Sequence, residues 1–454
     1  VDLVVRSRRV VLPDGVRAAS VHVRRGVIER VDGWDAVPEG VPVDDAGDLV
    51  LLPGLVDSHV HVNEPGRTEW EGFETATRAA AAGGVTTIAD MPLNATPPTT
   101  TRAAFEAKAA ATEGKLAVDV ALTGGVVPGN ASQLRELAEA GCVAFKCFLV
   151  HSGVDDFPHV EEDELRRAMP ILADAGVPLL VHAELAGPID EALRRRGNLG
   201  EAELARYVHY LESRPREAEN AAVDLVVRLT RATGARSHIV HLSSSDAVAA
   251  LRIARDEGVR ISAETCPHYL VLAAEDVPDG ATEYKCAPPI RERHNRERLW
   301  EALREGVVSQ VVTDHSPSPA SLKCTGSGDF SRAWGGIASL ELGLRATWTE
   351  GRTRGMGPAQ IAEWMSAAPA RLLGLDGRKG SIAAGKDADL VLWDPDGEQV
   401  VDVDRMHQRH KMTPYARRVL RGVVQATYLR GRRVYAAGAH VGAPSGSLLR
   451  RGRA

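Results

Sequence analysis

The stretch Val50-Leu51-Leu52-Pro53-Gly54-Leu55-Val56-Asp57-Ser58-His59-Val60-His61 decides how the rest of the chain is read. It is an apolar run that ends in an acid and two imidazoles. A buried strand with polar residues at its carboxyl end is how a parallel sheet presents chemistry. Side chains alternate along a strand, so Asp57, His59 and His61 project to one face. Working outward, the run over 50–62 is followed by seven more short apolar runs, at residues 85–91, 116–123, 142–150, 178–182, 237–242, 260–265 and 310–314. Ala/Glu/Arg-rich helical segments alternate with them at 69–82, 102–112, 132–140, 162–175, 218–233, 247–257 and 295–305, and Gly83-Gly84, Gly176 and Gly306 stop several of these. Eight strand-then-helix units predict an α/β protein built on a closed (β/α)8 barrel. An open doubly wound sheet is the alternative, but no G-x-G-x-x-G follows an early strand.

Residues 1–43 have a different texture, with short Val-rich stretches separated by turns such as Pro13-Asp14-Gly15. It returns in Asp389-Leu390-Val391-Leu392-Trp393 and over 419–435. The two β-rich ends are expected to meet in a small β domain made of residues 1–50 and 379–440, around a barrel over 51–378; two separate β units are the alternative. Residues 441–454, with Arg450, Arg451 and Arg453, read as a solvated tail.

Composition narrows the function classes. With 44% hydrophobic and 26% charged residues, neither disorder nor membrane spans are expected. A net charge of -6 offers no basic field for nucleic acid, so the expected partner is a small molecule. Five cysteines without CxxC spacing argue against a disulfide framework or a cysteine zinc cluster and suit a reducing cytoplasm. Residues 1–12, broken by Asp2, Arg6, Arg8 and Arg9, hold no signal-peptide core, and an opening Val1 in place of Met suggests trimming.

Titratable residues collect at the run ends: Lys146 in the fourth run, His182 in the fifth, His241 in the sixth and Asp314 in the eighth, beside His59 and His61 in the first. An H-x-H pair on a strand can chelate one metal, and imidazole with carboxylate suits zinc, iron, cobalt or manganese. So many ligands exceed one tetrahedral site and favour two metals sharing a hydroxide. Lys146, within Val143-Ala144-Phe145-Lys146-Cys147-Phe148-Leu149, reads from spacing alone as a lysine snorkelling to the rim. The alternative is a deprotonated amine that reacts with carbon dioxide to give an anionic carbamate. Cys147 faces away and packs, Asp57 reads as a carboxylate behind the histidines, and residues 152–159 are a candidate lid. Asn94 and the Cys286-Ala287 loop stand where substrate contacts are expected, and His268 and His315 read as supporting groups, His315 within reach of substrate.

These residues are similar to those of the amidohydrolases that open cyclic amides, and among them of the allantoinase branch. The resemblance runs from residue 1 to about 435. It rests on Pro53 to His61, Glu64-Pro65-Gly66-Arg67-Thr68-Glu69-Trp70-Glu71-Gly72-Phe73, Asp90-Met91-Pro92-Leu93-Asn94, Phe145-Lys146-Cys147-Phe148, Cys286-Ala287-Pro288-Pro289-Ile290-Arg291, Thr313-Asp314-His315-Ser316-Pro317 and His410-Lys411-Met412-Thr413-Pro414-Tyr415. It implies that His59 and His61 bind the more buried of two divalent cations, zinc foremost, and that His182 and His241 bind the other. Lys146 would bridge them as an N-carboxylated lysine, displacing the rim reading, and Asp314 would bind metal and shuttle the proton. His241 is preferred to His238, which strand parity puts on the opposite face. Dihydroorotases of this kind carry an arginine for the substrate carboxylate where this chain has Asn63, which is expected to contact an uncharged ureide instead, and hydantoinases and dihydropyrimidinases carry a tyrosine where it has His151-Ser152-Gly153. The implied reaction is hydrolysis of the hydantoin ring amide of allantoin to allantoate, in ureide breakdown, by a cytoplasmic homotetramer. The alternatives are hydantoinase, dihydropyrimidinase or dihydroorotase activity; a non-catalytic scaffold is disfavoured because every ligand position is filled.

Overall fold

The computed structural model describes residues 1–452. Eight parallel strand positions follow one another around a ring: Leu55–Val60, Val85–Asp90, Asp119–Leu122 continued by Gly124–Gly125, Phe145–Phe148, Leu179–His182, Ser237–Ile239, Ile261–Thr265 and Gln310–Val311. The ring closes where Val60 bridges to His315, where His61 N–H donates to His315 O at 2.8 Å, and where Thr313 donates its N–H (3.2 Å) and hydroxyl (2.5 Å) to Asp57 Oδ2. Asp57 is thus the clasp between first and eighth strands, and burial raises its carboxyl to about 6 against the pull of those bonds. Crossover helices cover the ring. Glu162–Ala175 shows how sequence sets one: Glu164 accepts from the Glu161 N–H at 2.9 Å, and Gly176, at φ 67, ends the helix in the left-handed region that glycine reaches at little cost. The architecture is a (β/α)8 barrel. No helix among the described residues is long and apolar enough to cross a membrane.

Both chain ends enter one nine-stranded sheet. From one edge the path runs Ala439–His440, Arg432–Ala436, Val419–Leu429, Leu390–Val400, Val50–Pro53, Leu3–Leu12, Gly15–Arg24 and Val27–Asp32, with Val43–Asp45 also pairing Leu3–Leu12. The expected single strand over 50–62 is therefore two. Val50–Pro53 lies between Leu3–Leu12 and Leu390–Val400, and only Leu55–Val60 belongs to the barrel. Gly54 makes the passage: its N–H donates to Asp389 O at 2.7 Å, and a Cβ there would stand 2.2 Å from Thr86 Oγ1.

The tail is exposed over residues 441–444 but docks on the barrel further on. Leu448–Leu449 pairs in parallel with Val120 and Ala121 of the third barrel strand. Arg450 donates to Ala140 O at 3.0 Å and Arg451 to Ala175 O at 2.6 Å, so both satisfy carbonyls left open at helix ends. Arg453 lies outside the described residues.

Sheet, barrel and tail are joined by one buried ionic knot. Lys379 Nζ reaches Asp119 (2.6 Å), Asp389 (2.7 Å) and Asp387 (2.9 Å), while Arg430 grips Asp119 and the Ser445 carbonyl. The three carboxylates resemble a cation cage, and the ammonium fills it. Lys379→Met leaves buried Asp389 without its cation and strips one from Asp119 and Asp387, so the free energy of unfolding in urea is expected to fall by about 3–5 kcal/mol. The exposed Arg8→Met serves as the unaffected control; an unchanged midpoint for Lys379→Met would show that the knot does not hold sheet to barrel.

Candidate metal and active site

His59 and His61 leave the first strand on the same side, as alternation requires. His59 Nδ1 donates to Glu264 Oε1 at 2.6 Å, which turns Nε2 to within 3.2 Å of Asp314 Oδ1; His61 Nε2 lies 3.3 Å from the same oxygen. The donor atoms of His59, His61 and Asp314 all fall within 4.8 Å of one another. The His241 ring is centred 5.4 Å from that of His59 and 4.6 Å from that of His182. His182 stacks at 4.5 Å on Phe148, and Lys146 Nζ stands 5.1 Å from the same phenyl ring. The six residues singled out from the strand ends therefore meet at one mouth of the barrel.

His241 lines the cavity and His238 does not, but strand alternation is not the reason. The sixth strand ends at Ile239, and His241 sits at φ 39, so alternation does not extend to it. His238 also reaches towards the cluster: its Nε2 donates to Glu264 Oε2 at 2.9 Å. Glu264, which also accepts from Gln310 at 3.0 Å, gathers three donors and fixes the tautomer of His59.

The electrostatics favour a bound cation. Burial lowers His61 to about 4 and carries His182 below and His241 well below the usual imidazole range, with Lys146 repelling a proton on each. Burial also brings the Lys146 amine down to about 8, against the pull of Asp314 and Glu264. Asp314 is held at about 2 because His59 and His61 outweigh its burial. The result is that His61, His182 and His241 stand as neutral imidazoles near one carboxylate. His59 Nε2, His241 Nδ1 and Lys146 Nζ are buried with no hydrogen-bond partner among the described residues. Such orphaned groups are costly unless something coordinates them, and the set fits a divalent metal.

A cavity of about 430 Å³ opens onto the cluster, lined there by His61, Lys146, His182, His241 and Asp314. Asn94 joins the wall, at φ 66, with Nδ2 3.5 Å from His61 Nδ1; Ala287 lines it too. The other expected contacts lie elsewhere. Asn63 is buried off the cavity wall, its amide unpartnered among the described residues. Cys286 turns its thiol to Pro288 O at 3.3 Å, and its carbonyl accepts from Tyr210. His315 is corrected from a substrate group to a structural one: Nδ1 accepts from Ser339 and Leu340 N–H (3.0 and 3.2 Å), and Nε2 faces Glu71 at 3.2 Å. Both nitrogens are spent where the eighth strand continues. The segment 152–159 is anchored rather than loose, with Ser152 donating to Phe157 O at 2.6 Å and Phe157 buried against Phe148.

Sequence reasoning passed over Glu264, Glu184 and Arg214. Glu184 Oε2 lies 2.7 Å from His182 Nε2, and Arg214 forks onto Glu184. The signal was present in part, since Glu184 follows His182 by the same two-residue step that separates His59 from His61.

Residues 50–434 match the amidohydrolase family. The chain belongs to the amidohydrolase family. Among related sequences, an allantoinase of Streptomyces avermitilis is 50% identical over 452 residues, covering 99% of each chain. An allantoinase of Arabidopsis thaliana is 41% identical, covering 98% of this chain and 90% of its own. Among solved structures, the L-hydantoinase (dihydropyrimidinase) from Arthrobacter aurescens superposes with a TM-score of 0.92 at 31% identity, over 99% of this chain and 100% of that one.

If the cluster of this amidohydrolase takes a divalent cation, adding zinc to chelator-treated protein at about 100 times its dissociation constant should stabilise the fold by about 2.7 kcal/mol. The His61→Ala/Asp314→Ala double variant should lose that gain and His151→Ala, at the exposed mouth, should keep it. Equal gains in all three, measured by thermal melting, would place the cation elsewhere.

Proposed function

We propose that this chain hydrolyses the hydantoin ring amide of allantoin, giving allantoate. The observation that carries the reading is the convergence of His61, His182, His241, Lys146 and Asp314 on one cavity, with His59 packed behind them against Asp314 and His241, in a chain half identical to an allantoinase throughout its length. These six residues would hold two divalent ions, zinc foremost, with Lys146 between them as a carbamate. When bound, such ions make water a nucleophile at neutral pH and polarise a carbonyl.

The protein's own groups supply the rest. The Lys146 amine, buried and depressed, has the lone pair that forms a bond to the carbon of carbon dioxide, and a proton leaves from nitrogen. Asp314, ionised between two imidazoles, accepts the proton of the attacking water and returns it to the departing ring nitrogen. Asn94 and the peptide groups at Ala287 present amide donors and acceptors to a planar ureide, and the enclosing wall limits competing water.

Hydantoinase activity is the second reading, favoured by the close superposition on the Arthrobacter aurescens structure. Sequence identity ranks it behind, at 31% against 50%. Dihydroorotate is disfavoured because Asn63 stands where dihydroorotases carry a carboxylate-binding arginine, and it lies off the cavity wall with no charged fork to offer.

Turnover measured on allantoin, hydantoin, dihydrouracil and dihydroorotate should be fastest on allantoin; faster opening of any other ring would overturn the substrate. Asp314→Asn should lower kcat by about 10²–10⁴. Lys146→Ala should be inactive and regain part of its rate with added short-chain carboxylates, whereas full activity without them would refute the carbamate.

A further inference from the structure

An imidazole can offer either nitrogen, and the one His182 turns to the cavity follows from hydrogen-bond bookkeeping two residues away. His182 Nε2 lies 2.7 Å from Glu184 Oε2. Glu184 is fully buried, and Arg214 donates to both its oxygens, Nε to Oε1 at 3.0 Å and Nη2 to Oε2 at 2.5 Å. A carboxylate that accepts a fork on both oxygens has no proton to give. The hydrogen in the His182–Glu184 bond must therefore come from Nε2, leaving the lone pair on Nδ1. His182 lines the cavity, and Nδ1 makes no hydrogen bond among the described residues.

Arg214 carries the arrangement further. Its side chain is one-fifth exposed and lines the same cavity, with Nη1 free of hydrogen bonds among the described residues. Its carbonyl accepts from Arg291 Nη1 at 3.3 Å. Arg291 in turn forks onto Glu219 (3.1 and 2.6 Å), and the other oxygen of Glu219 accepts the N–H groups of Ser243 and Ser244 (2.9 and 3.0 Å), just beyond His241. Two buried carboxylate–arginine pairs, joined through one peptide carbonyl, thus brace His182 and the backbone that follows His241.

We propose that Glu184 and Arg214 are a positioning pair that locks His182 in its Nε2–H tautomer, and that Arg214 also offers its remaining edge to a carbonyl oxygen of the ureide. The proposal rests on the reading of His182 as a metal ligand, for which the lock would leave Nδ1 as the only donor. Partners of this kind typically change metal affinity by about 10–100-fold when removed. Glu184→Gln loosens the lock because an amide has one acceptor oxygen where the carboxylate has two: its NH2 must face Arg214 Nε, or else Arg214 Nη2 and His182 Nε2 together, in which case the imidazole becomes the acceptor and takes the other tautomer.

The test has a metal-free and a metal-loaded arm. With nitrogen-15-labelled histidine in chelator-treated full-length protein, the His182 signals should report a single Nε2–H tautomer in the wild type and a mixture in Glu184→Gln. A single Nδ1–H tautomer in the wild type, or no change in the variant, overturns the proposal whatever metals do. In equilibrium dialysis against zinc, Glu184→Gln should weaken one ion by about 10–100-fold and leave the other unchanged. Its kcat should fall at unaltered KM, whereas Arg214→Met should show the same zinc defect together with a raised KM. Arg214→Lys, which keeps the charge and one of the bonds, should recover part of both. Wild-type affinities and kcat in Glu184→Gln would overturn the positioning role. A wild-type protein that takes up no zinc would sink the metal reading, and the tautomer arm would still decide the lock.

Discussion

The structure depends on a concentration of lone pairs. Four histidines and a lysine are packed at one mouth of a barrel with a single ionised aspartate among them, and burial keeps His61, His182 and His241 from answering that crowding by taking up protons. A cluster with orphaned Nε2, Nδ1 and Nζ atoms is expensive in an apolar interior, and the surrounding polar groups are arranged to tolerate it. Glu264 orders His59 and His238 from within the barrel, Glu184 orders His182 from the side, and Asp57 ties the strand that carries His59 and His61 to the strand that leads to Asp314.

The barrel was legible because each strand is a short apolar run with its polar residue at the carboxyl end, and because glycines such as Gly176 mark where helices stop. The cluster at the mouth was legible for the same reason: His59, His61, Lys146, His182, His241 and Asp314 are polar interruptions at corresponding places in their runs. Gly54 was harder to read. Val50–Pro53 and Leu55–Val60 form one continuous hydrophobic stretch, and only the close approach of Thr86 and Asp389 shows that the chain changes sheets between them. His238 and His241 exposed the limit of parity, because His241 lies two residues past the end of its strand, at φ 39, where alternation no longer fixes the face.

Partners from distant parts of the chain were beyond local pattern. Arg450 and Arg451 look like a charged tail until the carbonyls of Ala140 and Ala175 are seen beside them. His315 looks like an active-site histidine until Glu71 and two peptide N–H groups are found on its ring. Lys379 holds together segments more than two hundred residues apart, the third barrel strand and the C-terminal half of the sheet. In each case the sequence shows a polar residue, and only the fold shows what satisfies it.

The proposed function requires that this mouth bind two cations joined through a modified lysine. Crystals grown with zinc and bicarbonate, with diffraction recorded on either side of the zinc absorption edge, test it most directly. The account predicts two anomalous peaks, one beside His59 and His61 and one beside His182 and His241, with continuous density beyond Lys146 Nζ between them. Peaks confined to other sites, or an unextended lysine with no cation at this mouth, would contradict it.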